Sequence, residues 1–434
     1  MVWAWSGRGT GELSRKIHRY VRREVLRDGD RPRAILLNNW EATYFDFDED
    51  KIVSLFDGAR DLGMELFLLD DGWFGSKHPR DDDSQGLGDW QTDPRKLPNG
   101  LEVLPRKAGE KGLRFGLWFE PEMVNPRSEL FEQHPDWLIQ QPKREMQLQR
   151  NQMVLDLANP DAREFAFRVL HDTLCANPGI SYVKWDCNRY LTQPGSPSLG
   201  RDRQSHLQVE YVRALYGIME RLAELHPGVE VMMCSGGGGR VDYGAMRFAH
   251  ELWPSDMTDP VKRIFIQWGY SFFYPAMAVA NHVTRWGKRP LKFAFDVAMS
   301  GRLGMDMDVD KLCCGDRAFA RSAIEAYKGI REVVQFGELY RLESPYDGGR
   351  SSLMYLRAER AVVFAYSPSE APAAPLRLKG LDPERRYHVR EINLPLGSRG
   401  VRRTVEGRSL METGLPLPAF GPFGSGVYEV VPEP

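Results

Sequence analysis

The stretch that decides the fold runs from Ile180 to Arg189 and reads Ile-Ser-Tyr-Val-Lys-Trp-Asp-Cys-Asn-Arg. It begins as a short apolar strand and ends in a cluster of charged and polar side chains. Charged side chains are costly to bury unless they pair or carry out chemistry. If Tyr182–Trp185 is a strand of a parallel barrel, Asp186 lies at its carboxyl end, where such barrels place their active sites. Taken alone, the stretch is also compatible with a salt-bridged strand end.

Composition and charge narrow the class of protein. The 434 residues are 42% hydrophobic and 27% charged, with a formal net charge of −2. This predicts a globular chain with one domain of about 250–300 residues and a smaller one, and it gives no indication of nucleic acid or a membrane surface as a partner. Met1–Thr10 shows no signal peptide, and the apolar stretch Phe272–Ala280 is too short to span a bilayer. Five irregularly spaced cysteines favour a reducing compartment, so we expect a cytoplasmic protein.

An alternation of apolar strands and amphipathic helices follows Arg33. Near-continuous apolar strands joined by helices, such as those expected at Glu49–Leu62 and Gln208–Leu225, indicate a parallel sheet. Eight such units in about 300 residues favour a (β/α)8 TIM barrel over an open sheet. The candidate strands begin near Ala34, Met64, Leu113, Tyr182, Val229, His250, Pro275 and Phe293, and the last two cover Pro275–Ala280 and Phe293–Val297.

The two ends of the chain have different patterns. Residues 1–31 predict a lead-in, with a strand at Met1–Ser6 and an amphipathic helix at Glu12–Leu26. After residue 332, short alternating runs separated by Pro, Gly and Asp replace the helical pattern. We therefore predict an α/β architecture: a (β/α)8 barrel over residues 32–332 and a C-terminal antiparallel β-sandwich over residues 333–434.

Polar and aromatic side chains follow the predicted strands at one rim of the barrel. Carboxylates, an ammonium group and indoles in one place are typical of a sugar site. Carboxylates bind hydroxyls through charge-assisted hydrogen bonds, and Trp rings pack on the C–H faces of sugars. The strand ends carry Asn38, Asn39, Trp40, Asp70, Asp71, Trp73, Trp118, Glu120, Lys184, Asp186, Cys234, Ser235, Gly236 and Asp256.

Two of these carboxylates, Asp186 and Asp256, follow different strands. Chemistry at a glycosidic bond needs two carboxyl groups on opposite sides of that bond. Lys184 shares one side of its strand with Asp186 and can hold that aspartate ionised. Asp70 and Asp71 form the competing pair, but adjacent carboxylates diverge along a strand and suit the binding of two hydroxyls better.

Other motifs give weaker indications. Gly236–Gly239 lacks the spacing and the lysine of a phosphate loop, and close approach of the backbone to a ligand explains it better. The acidic runs Asp81–Asp83 and Asp306–Asp310 lack the full pattern of a calcium loop, and the nine histidines show no ligand spacing. We therefore predict neither a metal nor a cofactor.

Six motifs occur in order along the chain: LLDDGWF (68–74), GLWFEPE (116–122), RNQMVLD (150–156), KWDCNR (184–189), CSGGGGR (234–240) and WPSDMTD (253–259). Together they resemble the motifs of the glycoside hydrolase family 36 α-galactosidases. The resemblance covers residues 1–330 well and the C-terminal region loosely. It implies a retaining mechanism with Asp186 as nucleophile and Asp256 as general acid/base. It further implies that Asp70 and Asp71 bind the galactose 4- and 6-hydroxyls, in a pocket completed by Trp40, Trp118, Arg150, Lys184, Trp185, Cys187, Asn188, Cys234 and Gly236.

The chain departs from the family pattern in two respects. Members of the usual size carry an N-terminal β-sandwich ahead of the barrel, and this chain begins near the last strand of that domain. Some longer relatives are tetramers, so a homo-oligomer is an open expectation. Pro254 and Met257 replace the more usual Thr and Asn beside Asp256, which predicts altered specificity with the chemistry retained.

The expected activity is removal of terminal α-linked galactose from melibiose- or raffinose-type oligosaccharides, with a small galactoside as partner. A galactosyl transferase or an α-N-acetylgalactosaminidase stays open as an alternative, because acceptor preference depends on loop shape. A truncated sugar-binding protein without catalysis is the non-enzymatic alternative.

Overall fold

An eight-stranded parallel sheet with helical connections is the first feature of the computed structural model, which describes residues 3–433. Its strands are β1 (Leu36–Asn38), β2 (Leu66–Leu69), β3 (Arg114–Phe119), β4 (Ile180–Trp185), β5 (Glu230–Met233), β6 (Glu251–Leu252), β7 (Ala280–Val283) and β8 (Arg302–Asp306). Hydrogen-bonded neighbours follow the order β6-β5-β4-β3-β2-β1-β8-β7. This is the strand order of a (β/α)8 barrel, and the predicted fold class is confirmed.

Helices connect these strands, and several begin at a recognisable cap. Asn159 accepts a hydrogen bond from the Asp161 amide at 2.9 Å ahead of a helix that starts with Pro160, a residue suited to the first helical turn. The helices are α1 (Gly9–Tyr20), α2 (Trp40–Thr43), α3 (Glu49–Leu62), α4 (Val103–Glu110), α5 (Glu129–Gln133), α6 (Pro160–Ala176), α7 (Leu207–Leu225), α8 (Tyr243–Met246), α9 (Pro260–Tyr270), α10 (Leu291–Ala298), α11 (Cys314–Phe336) and α12 (Gly407–Glu412). No helix within residues 3–433 combines the length and apolar character that crossing a membrane requires.

The chain divides into two compact units, which are described separately below. The first unit contains the N-terminal segment to Leu36, Asp61–Met64 and the chain from Pro254 onward. The second unit contains Leu37–Arg60 and Glu65–Trp253. Strands β2 to β5 and most of the predicted polar rim lie in the second unit.

Antiparallel strands form the C-terminal part of the first unit. They are β9 (Glu338–Glu343), β10 (Ser351–Arg357), β11 (Arg360–Ser367), β12 (Ala374–Leu376), β13 (Arg386–Ile392), β14 (Arg402–Glu406), β15 (Leu415–Leu417) and β16 (Gly424–Pro432). Six of them form one sheet in the order β9-β10-β11-β16-β13-β14, and β12 pairs with β15 in a second. Buried residues of both sheets and of α12, including Val363, Tyr387, Leu410, Leu415 and Tyr428, share one core. The predicted antiparallel β-sandwich is therefore confirmed.

The last two predicted barrel strands are wrong. Residues 276–278 form a 3-10 turn, and strand β7 follows them. Phe293–Val297 lies inside α10, a helix buried on all sides, and a short run of buried residues has the same apolar pattern in a helix as in a strand. The true eighth strand, β8, escaped prediction because it begins with Arg302 and ends with an aspartate.

The N-terminal strand prediction falls partly outside the described residues, because Met1 and Val2 are not among them. Trp3–Ser6 is not a strand, and Trp3 and Trp5 are exposed. The helix predicted at Glu12–Leu26 corresponds to α1 and the single π-helical segment Val21–Val25 that continues it.

Candidate active site

The carboxyl ends of β1 to β4 bring polar side chains of the second unit into one hydrogen-bonded cluster. Asn38 ends β1, Asp70 follows β2, Trp118 lies near the end of β3, and Lys184 and Asp186 lie at the end of β4. Because the strands are parallel, their carboxyl ends lie at the same edge of the sheet, and these residues meet there. The structure therefore assembles the rim that the sequence predicted for this unit.

Lys184 and Asp70 form a buried ion pair within this cluster. The Lys184 ammonium lies 2.7 Å from Oδ2 of Asp70, and the Asn38 amide donates to the same oxygen at 2.8 Å. Burial lowers the pKa of Lys184, but the neighbouring Asp70 carboxylate raises it more, so the pKa lies above its usual range. Lys184 therefore remains cationic beside two carboxylates.

Asp186 is held as a carboxylate although it is buried. The Trp118 indole donates to Oδ2 at 3.2 Å, and the amides of Cys187 and Gly236 donate to Oδ1 at 2.8 and 3.3 Å. Burial raises the pKa of Asp186, but Lys184 and the Cys234 thiol lower it more, and the net pKa lies below its usual value. An ionised carboxylate fixed at both oxygens in a buried site suits nucleophilic attack.

Asp71 faces a different partner from its neighbour Asp70. The Arg80 guanidinium donates to both oxygens of Asp71, through Nη2 at 2.8 Å and Nε at 3.0 Å. Arg80 also donates to the Asn125 side chain at 3.1 Å, so its orientation is fixed. The two adjacent aspartates diverge, as the sequence predicted.

Glu120 is a fully buried carboxyl group that lies close to the charges of Asp186 and Asp71. It accepts hydrogen bonds from the Asn188 amide and from the Gln152 side chain, the latter at 3.2 Å. Burial, followed by repulsion from Asp186 and Asp71, raises the pKa of Glu120 to about 8. Glu120 is therefore neutral at pH 7, and it holds the backbone amide of Asn188, two residues after Asp186.

Trp185 and Cys187 turn their side chains to the other side of β4. Glu122 accepts from the Trp185 indole at 2.9 Å and forms two bonds with the Arg240 guanidinium, at 2.7 and 2.8 Å. Cys187 and Tyr211 line a neighbouring cavity of about 340 Å³. Strand side chains alternate between faces, so Lys184 and Asp186 lie on one side and these two on the other. The structure does not place either side chain in the Asp186 cluster, although the Cys187 amide belongs to it.

The remaining predicted binding residues of the second unit lie at different distances from this cluster. Asn188 and Gly236 border Asp186, and Gly236 adopts a φ of +53°, a conformation that favours glycine. Trp40 is half-buried, and its amide donates to the Asn38 side chain at 3.0 Å. Arg150 is exposed on a turn with a φ of +52°, outside the strand ends that form the cluster.

Asp256 belongs to the first unit and follows β6 in an exposed bend. The loop that carries it is anchored by the buried Arg263, which donates to the Ser255 carbonyl at 3.1 Å and to the Ala280 carbonyl at 2.5 Å. Burial lowers the pKa of Arg263 to about 9, while Tyr270 and Asp256 raise it. An exposed carboxyl on an anchored loop suits a group that must exchange protons with solvent and with a leaving group.

Sequence reasoning left several residues of this network out of the predicted site. Arg80 and Asn125 lie outside the strand ends, and Tyr211 lies in a helix, so nothing in their local sequence connects them to the site. Glu120 was predicted at the rim but was given no role, and Glu122 carried the same signal, since two glutamates directly after an apolar strand are costly to bury without a role. The carboxylates of the cluster have protein partners, and among residues 3–433 the one group of three metal-ligand side chains lies elsewhere, on α6 and after α7.

Two family models match the chain. The Melibiase model matches residues 1–337, and the model of the glycosyl hydrolase family 36 C-terminal domain matches residues 350–430.

Characterised relatives are similar over most of this chain. α-Galactosidase AgaA of Geobacillus stearothermophilus is 41% identical over 431 residues, which cover 96% of this chain and 57% of that protein. α-Galactosidase Mel36A of Lactobacillus acidophilus is 38% identical over 409 residues, which cover 92% of this chain and 55% of that protein. The chain thus spans little more than half the length of these relatives.

Solved structures agree with this similarity. The crystal structure of the family 36 α-galactosidase AgaA superposes with a TM-score of 0.93 at 40% identity, covering 99% of this chain and 60% of that one. The superposition on the α-galactosidase of Lactobacillus brevis gives the same TM-score at 35% identity, and it covers 99% of this chain and 59% of that one.

Proposed function

Because this chain belongs to the melibiase family of glycoside hydrolases, we propose that it is a retaining exo-α-galactosidase. Its substrates would be terminal α-linked galactosides of the melibiose and raffinose type. One observation carries the proposal: a buried carboxylate, Asp186, is kept ionised by Lys184 and fixed at both oxygens by Trp118 and two backbone amides. A nucleophilic carboxylate of this kind is what double displacement at an anomeric carbon requires.

The proposed reaction has two steps. Asp186 attacks the anomeric carbon while protonated Asp256 gives its proton to the leaving oxygen, and a covalent galactosyl-enzyme forms. Asp256, now a base, takes a proton from a water molecule whose oxygen attacks the anomeric carbon. The bond between that carbon and Asp186 breaks, which releases galactose with its original anomeric configuration and regenerates both carboxyl groups. The role of Asp256 is supported by its place after β6 on an anchored loop and by the family resemblance.

The proposed substrate contacts follow from the same cluster. Asp70 and Asp71 are turned to different sides and are held by Lys184 and Arg80, so they can accept hydrogen bonds from two separate sugar hydroxyls. Crystal structures of AgaA variants contain stachyose and raffinose, which are oligosaccharides with terminal α-galactose. These complexes support oligosaccharides as the substrate class. The binding roles of Trp40, Arg150, Trp185 and Cys187 remain predictions.

The first experiment is hydrolysis of p-nitrophenyl α-D-galactopyranoside by the chain and by its Asp186→Asn variant. We expect turnover by the parent and a loss of at least about 10³-fold in kcat for the variant, because the amide cannot form the covalent intermediate. Asp136→Asn, an exposed aspartate outside the cluster, is the matched control and should retain parent activity. Full activity of Asp186→Asn would contradict the assignment.

The product pattern separates the alternatives. NMR of the first-formed galactose should show the α anomer, and inversion would exclude the retaining mechanism. Galactose binding without turnover by the folded parent would favour the non-catalytic alternative, and oligosaccharide products at high sucrose would favour a transferase. Faster turnover of p-nitrophenyl α-N-acetylgalactosaminide than of the galactoside would favour an α-N-acetylgalactosaminidase.

Two further properties are proposed with the function. None of the five cysteines forms a disulfide within the described residues, which supports a reducing, cytoplasmic location. Self-association into a homo-oligomer remains a prediction from the family resemblance, and size-exclusion chromatography with light scattering tests it.

A further inference from the structure

Three side chains with strong affinity for transition metals come together on the outside of the second unit, away from the carboxylate cluster. They are His171 and Cys175 of α6 and His226, which directly follows α7. Nδ1 of His171 lies 3.0 Å from Nε2 of His226, and the Cys175 sulfur lies 3.8–3.9 Å from the two nitrogens of His171. One ligand atom from each residue can be chosen so that all three lie within 4.8 Å of one another.

Local structure fixes this arrangement. His171 and Cys175 are four residues apart in a helix and therefore lie on the same face, one turn apart. His226 is the C-cap of α7: its amide donates to the Leu222 carbonyl at 2.8 Å, and its own carbonyl accepts from the Val229 amide at 3.0 Å. The three positions are thus set by regular helix geometry and by a hydrogen-bonded turn.

Contacts between α6 and α7 hold the two ligand-bearing segments in place. The His171 ring stacks on Phe167 with centroids 5.1 Å apart. The Arg221 guanidinium covers the same Phe167 ring at 3.6 Å and pairs with Glu164 at 2.7 Å. A site formed on two packed helices needs little reorganisation to bind an ion.

Two of the three separations between ligand atoms are close to those of a tetrahedral coordination sphere, and the third, between the Cys175 sulfur and a His226 nitrogen, is at most 4.8 Å. With Zn–N bonds of about 2.0 Å and a Zn–S bond of about 2.3 Å, a tetrahedral site separates two nitrogens by about 3.3 Å and sulfur from nitrogen by about 3.6 Å. The separations of 3.0 and 3.8–3.9 Å lie within about 0.3 Å of those values. For these two pairs of atoms, small side-chain rotations would suffice to bring the separations to those of a bound ion.

We propose that His171, Cys175 and His226 bind a zinc-like divalent cation, with the fourth coordination position open to water. Two imidazoles and a thiolate suit borderline-soft metals such as Zn²⁺ and Co²⁺ and disfavour Mg²⁺ and Ca²⁺. Cys175 is exposed, so the ion has access from solvent. Binding releases the thiol proton of Cys175 to solvent, while the imidazoles bind in their neutral form.

Electrostatics at the site favour a cation once the imidazoles are neutral. Two imidazole nitrogens 3.0 Å apart can share only one proton, so at least one lone pair is available. The site also lies at the C-terminal ends of both α6 and α7, where the helix dipoles are negative.

The location indicates a structural function. The C-terminal ends of α6 and α7 lead into the first residues of β4 and β5, whereas Asp186 follows the last residue of β4. In a (β/α)8 barrel this opposite face contributes to stability and the carboxyl face to catalysis. A bound ion would link α6 to the segment before β5, and it would stabilise the folded chain by mass action without entering the reaction.

Cobalt titration of the full chain tests the proposal directly. The tested protein should carry Cys313→Ala and Cys314→Ala, because these adjacent exposed thiols could bind metal themselves. After treatment with a chelator, Co²⁺ should produce a thiolate-to-cobalt charge-transfer band and the d–d bands of tetrahedral cobalt at one equivalent. Zn²⁺ should displace the cobalt and raise the Tm by about 5 °C at 100 times its Kd.

Cys175→Ala and His226→Ala in the same background provide the decisive comparison. Each should bind Co²⁺ at least about tenfold more weakly, and Cys175→Ala should lose the charge-transfer band. Circular dichroism of the metal-free variants establishes that they fold, and hydrolysis of the galactoside should be unchanged in all of them.

A charge-transfer band that survives Cys175→Ala, or no cobalt bound by the folded parent at one equivalent, would overturn the proposal. Neither result bears on the proposed hydrolase activity.

Discussion

At the scale of single residues, the site keeps one carboxyl ionised and a nearby one neutral. Asp186 has Lys184, a thiol, an indole and two amides near its oxygens, and these outweigh the cost of burial. Glu120 is equally buried and accepts its hydrogen bonds from two uncharged donors, the Asn188 amide and the Gln152 side chain, while Asp186 and Asp71 repel its charge. Two neighbouring carboxyl groups thus take different protonation states because their partners differ.

Glu120 gives a prediction for stability against pH. The free carboxyl titrates near 4.5, and the folded one near 8. Between these values the folded state binds a proton that the unfolded state has released. The free energy of unfolding therefore falls as pH rises through this window, by at most about 1.4 kcal/mol per pH unit, and this contribution is fully present only below pH 4.5.

The Glu120→Gln variant tests this assignment. It keeps the shape of the neutral side chain and has no proton to lose, so we expect its stability to rise relative to the parent as pH increases from 5 to about 8. Urea unfolding of both proteins at several pH values measures the difference. Parallel pH profiles would show that Glu120 does not carry a proton in the folded chain.

Sequence reasoning succeeded for residues whose chemistry coincides with a strand end. Asp70, Trp118, Lys184 and Asp186 follow apolar runs, so their common position could be predicted from the alternation alone. The protonation of Glu120 could not, because it depends on Asp186 and Asp71, which come from other strands. Strand alternation places Trp185 and Cys187 on the side opposite Lys184 and Asp186. Their predicted place in the pocket came from the family motif that contains them and did not take this alternation into account.

At the scale of elements, the glycine-rich loop after β5 is held by one buried ion pair. Arg240 ends this loop and binds both oxygens of Glu122, which has no solvent exposure. The Gly236 amide at the other end of the loop donates to Asp186. The glycines allow the backbone to approach the carboxylate, and Arg240 fixes the loop in that position.

Removal of this arginine should weaken the whole loop. Arg240→Ala leaves the Glu122 charge buried without its cation, which costs about 3–5 kcal/mol of stability. Arg247→Ala, an exposed arginine shortly after the loop, is the control and should cost less than about 0.5 kcal/mol. Urea unfolding measures both. The double variant Arg240→Met/Glu122→Gln should recover part of the loss, and an undiminished loss would show that packing and not charge is responsible.

Helices and strands were predicted well where the length of an apolar pattern and its period indicated the same type of element. Helix α3 was predicted at its observed bounds, and the strands up to β6 were placed within a few residues. The strand wrongly predicted at Phe293–Val297 has a physical cause, because the buried helix α10 lacks the polar face that distinguishes a period of 3.6 from a period of 2, whereas β8 was missed because its ends are charged. Gly304 in β8 illustrates what the sequence hides: a Cβ there would lie 2.5 Å from the His282 ring of β7.

At the scale of the whole molecule, the burial of α10 ties the C-terminal sheet to the barrel part of the first unit. Asp296 of α10 accepts hydrogen bonds from Asn393 at 2.5 Å and from Ser425 at 2.7 Å, and both donors belong to the C-terminal region. Lys292 of the same helix donates to the Ser425 carbonyl at 3.1 Å. The helix is thus an internal layer, and the C-terminal sheet covers it.

A chain that ends after Phe336 should therefore fail as an independent protein. It would expose Phe293, which packs on Phe423 of the C-terminal region, and would remove the two donors that Asn393 and Ser425 supply to Asp296. An exposed apolar surface favours aggregation, and the hydrogen bonds that join Asp296 to the C-terminal region would be lost. We expect insoluble protein on expression, whereas Asp296→Asn in the full chain should be soluble with a reduced Tm. A soluble truncated chain that melts cooperatively would show that the barrel folds without its C-terminal cover, and the arrangement of Asp296 would then be a contact without a structural role.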